Sequence, residues 1–329
     1  MNGQTSRQLK QRAQDALSRA FSDPRKLFFL HISVGMAASV LLAALDHFLN
    51  LGIAQTSGIS GIATRSALKT AQTLLEGVVS FALPFWQMGL IFTALRLSRQ
   101  EQAPTGCLLE GFRRLGPVFR LNLLKSILLC GIVFASFYAG LLVSTFTPLS
   151  LGFQKLMTPI LENSTEAELL LLLEDPAFTD QMITALLPVL LAALAVSAAV
   201  SIPVIFRLRM AEFALMDNPA AGARSAIKAS WQMTKGNCLA LLRLDLSFWW
   251  FYLLDVLLVG IFFLDQLLPV MNVTLPVSGE VAYLLCTALY ALGQILLYGL
   301  ANPQVLTTYA CAYDALKPEQ QPQAQIIIE

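Results

Sequence analysis

Charged side chains are scarce in this chain. Asp, Glu, Lys and Arg make up 13% of its 329 residues, whereas a soluble domain has about 25%. Histidine is rarer still, with two residues, and none of the five cysteines forms a Cys-x-x-Cys pair. Cysteine and histidine at metal-ligand spacing are therefore absent, which argues against a zinc site and against a disulfide scaffold.

The motifs of common catalytic sites are missing as well. The sequence has no GxxxxGKS/T phosphate-binding loop, no GxSxG nucleophile turn and no HExxH zinc helix. Each of these motifs supplies the nucleophile, the metal ligands or the phosphate cradle of a known chemistry. We therefore expect a protein that is not an enzyme, needs no cofactor and binds no nucleic acid.

Long apolar runs dominate the sequence instead. Hydrophobic residues make up 56% of the chain, and six runs reach about 20 residues, the length of helix that crosses the hydrocarbon core of a bilayer. Backbone groups find no water there, so each run should form a helix. The predicted spans cover residues 27–44, 77–95, 121–146, 183–206, 239–264 and 281–300.

The basic residues alternate between the two sides of this six-helix path. Six Lys and Arg residues lie in each of the segments 1–26, 96–125 and 207–243, and Lys317 adds one more. The other side keeps three of the 22. Because cytoplasmic loops are enriched in Lys and Arg, this distribution predicts that both termini are cytoplasmic.

The predicted topology also divides the chain into parts. Residues 1–26 form a basic amphipathic N-terminal segment, residues 27–314 form an all-α membrane domain of six spanning helices, and residues 315–329 form a cytoplasmic tail. The longest outer loop covers about residues 147–182 and is mostly acidic.

Each basic segment combines a positive face with an apolar stripe at helical spacing. We expect residues 105–116 and 221–235 to form helices that lie in the membrane interface. The cations predicted to contact anionic lipid headgroups are Arg113, Arg114, Arg224, Lys228 and Lys235. Three such helices, each followed by a helical hairpin, would make a threefold repeat. The alternative is that cytoplasmic loops of membrane proteins are commonly basic and partly apolar.

Four ionisable residues lie inside predicted spans, where a charge is costly and often functional. They are Lys125, Arg243, Asp245 and Asp255. On one straight helix Asp245 and Asp255 share a side, which would suit a proton or cation pathway. The structural alternative pairs Asp245 with Lys125, leaves Arg243 at the interface and brings Asp255 near the outer surface. Gln294 is expected to hydrogen-bond between helices.

One stretch resembles a known family. Residues 225–237 read SAIKASWQMTKGN, and residues 244–250 read LDLSFWW. They resemble the signature of bacterial membrane proteins grouped as "domain of unknown function 975". Leu9-Lys10 resembles the start of that family, and the residues around Tyr313-Asp314 resemble its end.

The resemblance implies a multi-pass protein of the bacterial plasma membrane and no established activity. The chain is also distantly similar to membrane domains attached to some glycerophosphodiester phosphodiesterases. The sequence therefore favours a non-enzymatic membrane protein that organises lipids or partner proteins from its basic face. The alternative is a small transporter that uses the intramembrane Asp residues.

Overall fold

The fold is given by a computed structural model that describes residues 5–20, 23–54, 59–163, 172, 175–264 and 279–317. Every regular element in these residues is a helix, which confirms the predicted all-α class. The α-helices are α1 (Ser6–Ser18), α2 (Pro24–Ala54), α3 (Ile59–Ser98), α4 (Glu110–Arg113), α5 (Leu115–Thr145), α6 (Leu151–Asn163), α7 (Pro176–Leu208), α8 (Ala211–Asp217), α9 (Gly222–Thr234), α10 (Cys238–Leu246), α11 (Trp249–Phe262), α12 (Gly279–Leu300) and α13 (Asn302–Leu316).

Several of these helices are long and apolar enough to cross a membrane. Five segments meet this condition, and α10 and α11 together would make a sixth. The five are Pro24–Leu45, Ser66–Ser98, Leu115–Thr145, Pro176–Asp217 and Val281–Leu300. The sixth differs from the sequence prediction, because residues 239–264 are not one straight helix: the axes of α10 and α11 meet at 62°.

The chain divides into two compact units. The first comprises Met1–Asn122 with Met210–Glu329, and the second comprises Leu123–Arg209. This division differs from the three parts predicted along the sequence, which stay a prediction, as does the threefold repeat.

The second unit is held by small residues where α5 meets α7. Gly140 packs so closely on Ala193 that an added Cβ would lie 2.8 Å from the Ala193 Cα. Beside it the hydroxyl of Ser136 lies 3.2 Å from that of Ser197. Small and hydroxyl residues let membrane helices approach in this way. Of the predicted outer loop, residues 164–171, 173 and 174 lie outside the described residues.

In the first unit the apolar helices α2, α3, α11 and α12 pack side by side, and short helices gather around the C-terminal end of α3. We call this second layer the cap; it consists of α1, the segment 99–114, α8, α9 and α13. Its centre is α13, which Pro303 begins and in which residues 307–313 are at most 3% exposed. The amphipathic α1 covers α13 with its buried Leu9 and Ala13.

The predicted surface helices have different outcomes. Residues 221–235 are helical as expected, in α9, but the apolar side of this helix packs against α8. Residues 105–116 are not one helix: a 3-10 helix (Thr105–Leu109) leads into the single turn of α4, and α5 begins at Leu115. This segment bends because its backbone packs directly against the backbone of α3.

Two glycines allow that close approach. A Cβ added to Gly89 of α3 would overlap the backbone of Leu108, and one added to Gly111 would overlap the carbonyl of Phe85. Both residues are buried. The segment can therefore pack on α3 only while these two positions lack a side chain.

Gly89→Ala should lower the thermal midpoint of the purified protein in detergent, because forcing a methyl group into a packed contact costs about 1–3 kcal/mol. Gly77→Ala is the matched control on the same helix, since nothing lies within 4 Å of its added Cβ. The control should unfold at the same temperature or higher, because Ala favours helix over Gly. Equal midpoints for the two variants would contradict this packing.

Candidate functional site

The first unit contains a break between α10 and α11. The amide of Ser247 donates to the carbonyl of Arg243, and that of Phe248 donates to the carbonyl of Asp245 at 2.8 Å. The second of these contacts is a tighter turn than an α-helix makes. The chain then restarts as a helix at Trp249 in a new direction. The C-terminal end of α10 is thus left with carbonyl groups that need a donor.

Lys10 of the cap supplies that donor. Its amine lies 2.6 Å from the carbonyl oxygen of Ser247 and 3.9 Å from the centre of the Phe248 ring. A cation is favoured at a helix C-terminus and over an aromatic face. Burial lowers the pKa of the Lys10 amine. Helix α1 thereby places a hydrogen-bond donor at the break.

The break separates the two Asp residues that the sequence placed on one face. Asp245 is half-buried near the end of α10, and Arg243 is exposed on the same helix. Because the axis turns by 62° beyond them, residues 239–264 do not form the single straight helix on which the stripe from Asp245 to Asp255 was predicted. Lys125 belongs to the second unit, and its pairing with Asp245 stays a prediction.

Asp255 has partners on α12 instead. The side-chain amide of Gln294 donates to its carboxylate at 2.9 Å, and the hydroxyl of Tyr298 also hydrogen-bonds to it. Gln294 is buried, which confirms its predicted role between helices. Since these groups join α11 to α12 within the apolar layer, they satisfy a carboxylate that would be costly there alone.

A third polar cluster lies in the cap, at the end of α3. The guanidinium of Arg99 donates to Asp217 at 2.7 Å and to Asp314 at 2.8 Å. Asp217 also accepts from Lys317 at 2.7 Å and from the hydroxyl of Tyr313 at 3.0 Å. We call these five residues the Arg99 cluster. It connects α3, α8 and α13.

The charges of the Arg99 cluster support one another. The hydrogen bond that Arg99 donates to the Asp314 carboxylate raises the pKa of its guanidinium, so this side chain stays charged. Burial, with the neighbouring Asp217 carboxylate, raises the pKa of the Tyr313 hydroxyl, which therefore keeps its proton and donates. Sequence reasoning missed Arg99 and Asp217 as a pair, because it counted Arg99 only as a topology signal.

The predicted lipid contacts occupy two kinds of position. Arg113, Arg224, Lys228 and Lys235 are exposed. Arg114 is half-buried and donates to Glu110 and to the carbonyl of Met216, each at 3.0 Å. Its guanidinium also lies over the ring of Phe92. Arg114 thus joins the segment 99–114 to α8, a structural role that the sequence did not indicate.

The composition of these three clusters limits the chemistry that the site can perform. Among the described residues, no group of three or more His, Cys, Asp or Glu is placed to hold a metal ion. The acidic groups that do lie close together, Asp217 and Asp314, share Arg99 between them. This arrangement can hold the helices of the cap together and fix the positions of its charged groups.

Lys10→Met should destabilise the protein by about 1–2 kcal/mol, because it keeps the apolar stem but removes the charged donor at a helix C-terminus. The free energy of unfolding in mixed micelles measures this loss. Arg7→Met is the matched control, since Arg7 is an exposed cation on the same helix and should change stability little. Equal losses in the two variants would contradict the capping of the break by Lys10.

Comparison with known proteins gives one match. The family model described as "Protein of unknown function (DUF975)" matches residues 1–278, a range that includes Lys10, Arg99, Asp217 and the break. The resemblance noted around Tyr313-Asp314 falls beyond that range, and a similarity to glycerophosphodiester phosphodiesterases is not found. No curated protein and no solved structure matches the chain. The chain therefore belongs to the DUF975 family of proteins of unknown function.

Proposed function

We propose that this protein is a non-enzymatic, multi-pass protein of the bacterial plasma membrane whose cap binds anionic lipid headgroups. Both termini lie on the cytoplasmic side in this proposal. Its support is that the segments 1–26, 96–125 and 207–243, which carry most of the basic residues, contribute helices to the same cap. A common side for these segments is what the positive-inside rule requires.

The observation that carries the proposal is the arrangement of α9. Ala223, Ala226 and Met233 are buried on one side of this helix, which packs against α8, whereas Arg224 and Lys228 are exposed on the other. The helix therefore does not need lipid to cover its apolar stripe. The packing of the helix sets the backbone positions of these cations, and each is worth about 1 kcal/mol near an anionic membrane surface.

A fixed basic surface suits a scaffold. Ordering flexible lysine and arginine side chains on binding costs entropy, and a helix that is already docked avoids the further cost of folding at the membrane. The cap would thus concentrate anionic lipids around the protein, or present the same charges to an acidic partner protein. In either case its activity is binding.

A small transporter is the second candidate. The break between α10 and α11 favours it, because discontinuous helices surround the substrate sites of many transporters. Asp255 adds a carboxylate at membrane depth. Two observations make this candidate the less favoured one. Lys10 already occupies the break, and Gln294 and Tyr298 already hydrogen-bond to Asp255.

The proposal is tested on the full-length protein in nanodiscs that contain phosphatidylglycerol and phosphatidylcholine. Phosphatidylglycerol should be enriched next to the wild-type protein, measured by spin-labelled lipids of each class at low salt. The triple variant Arg224→Gln, Lys228→Gln, Lys235→Gln should lose this enrichment several-fold, given about 1 kcal/mol per cation. Raising the salt concentration should weaken the wild-type enrichment.

The matched control removes three charges from the other predicted side, as Arg65→Gln, Lys69→Gln, Lys155→Gln. It should retain the wild-type preference. An equal loss in both triple variants would mean that net charge, and not the cap, selects the lipid. No loss in the α9 variant would contradict the proposal.

A further inference from the structure

A polar cavity lies in the first unit, where α1 meets the beginning of α2 and the junction of α12 with α13. Its volume is about 440 Å³, which falls within the range of ligand pockets, about 300–1,000 Å³. None of the residues that line it belongs to the three polar clusters described above or to α9. We call it the α1 cavity; its polar lining residues are Gln14, Ser18, Asp23, Arg25 and Gln304.

Two of the apolar segments have an end at this cavity. Pro24 is the first residue of the segment Pro24–Leu45, Leu300 is the last residue of Val281–Leu300, and both residues line the cavity. Each segment is long and apolar enough to cross a bilayer, so its ends lie where the hydrocarbon core meets the headgroup layer. The polar residues beside these two ends are therefore at the level of the phospholipid headgroups.

The lining of the α1 cavity carries a charge of each sign. Asp23 and Arg25 are both exposed, and neither side chain forms an ion pair within the part of the chain that the structure describes. The backbone amide of Arg25 donates to Oδ1 of Asp23 at 3.1 Å. This contact holds the carboxylate at the beginning of α2 and leaves its second oxygen for another donor.

Neutral donors complete the polar lining. The side-chain amides of Gln14 on α1 and Gln304 on α13 form no hydrogen bond among the described residues. Each amide can donate two hydrogen bonds. Ser18 is different, because its hydroxyl already donates to the carbonyl of Asp15. The cavity thus presents a guanidinium and two amides as free donors and one carboxylate as acceptor.

The apolar part of the lining continues along a spanning helix. Leu17, Pro303 and Leu300 line the cavity, and Leu300 is 54% exposed. Leu296, one helical turn before it, is 47% exposed. A molecule whose polar end lies in the cavity can therefore lay an apolar chain along α12.

We propose that the α1 cavity binds the headgroup of phosphatidylethanolamine, a phospholipid that carries a phosphate and a primary ammonium group. Arg25 and the two glutamine amides donate to the phosphate, since a guanidinium matches phosphate oxygens in geometry. The ammonium donates to Asp23. A headgroup without an ammonium group would leave this carboxylate unpaired beside the phosphate. The site is therefore selective for a zwitterion, unlike the cations of α9.

The test uses the full-length protein in phosphatidylcholine nanodiscs that contain phosphatidylethanolamine. A water-soluble carbodiimide couples a carboxylate to a primary amine in contact with it, so a lipid adduct marks the acid beside the ammonium group. Mass spectrometry should find this adduct at Asp23 several-fold more often than at Asp15, an exposed acid of α1 that does not line the cavity. Each yield is divided by the yield with free ethanolamine, which measures how reactive that carboxylate is by itself.

Arg25→Gln removes the phosphate contact and should lower the adduct at Asp23 about three- to tenfold, the loss expected for a guanidinium contact at an exposed site. Arg19→Gln is the matched control, because Arg19 is an exposed cation near the cavity that does not line it. This control should keep the wild-type yield. The triple variant of α9 should keep it as well, which separates this site from the headgroup contacts of the cap.

Equal corrected yields at Asp23 and Asp15 would mean that the lipid amine meets exposed acids without selection, and would overturn the proposal. Equal losses in Arg25→Gln and Arg19→Gln would do the same, because net charge would then explain the adduct. Soluble glycerophosphoethanolamine is the last arm, added to nanodiscs of phosphatidylcholine alone. If it couples to Asp23 as well as the lipid does, the cavity takes a free phosphate ester and the assignment to a membrane lipid is wrong.

Discussion

The guanidinium of Arg99 donates to two carboxylates that lie 118 and 215 residues further along the chain. Through these two contacts the end of a spanning helix is joined to α8 and to α13. A guanidinium presents several donors in a fixed plane, so one side chain can hold both acids at once. Without it, Asp217 and Asp314 would lie close together in the cap with less positive charge to balance them. The ion pairs thus help to hold α13, whose apolar residues are also buried.

Because α13 is fixed, the rest of the cap has a surface to pack on. The apolar stripe of α1 covers α13, and this docking brings Lys10 to the carbonyl of Ser247 at the break in the membrane layer. Tyr309 of α13 also meets Tyr252 of α11, with 3.4 Å between their hydroxyls. The cap is thus connected to the bent pair α10 and α11 at two points. Meanwhile the cations of α9 remain exposed on the outside of the cap.

The sequence predicts the parts of this fold that depend on local pattern. Hydropathy predicts the segments that are apolar and long enough to span a membrane. Helical spacing predicts α9. The cost of a polar group in a membrane predicts that Gln294 forms a contact between helices. The break at Ser247 could not be predicted in this way, because no Pro or Gly marks it. Its stabilising partner, Lys10, lies 237 residues away in the sequence. The Arg99 cluster could not be predicted for the same reason. Its members are far apart in the sequence, and only the fold brings them together.

A double-mutant cycle on Arg99 and Asp217 tests most directly whether the Arg99 cluster holds the cap. The free energy of unfolding in mixed micelles is measured for Arg99→Gln, Asp217→Asn and the double variant. We expect a coupling energy of about 1 kcal/mol or more after allowance for solvent screening. The pair Arg113 and Glu110, 3.4 Å apart with the Arg113 side chain 69% exposed, serves as control and should couple by less than about 0.5 kcal/mol. Additive effects at Arg99 and Asp217, equal to those of the control pair, would contradict the central role of this cluster.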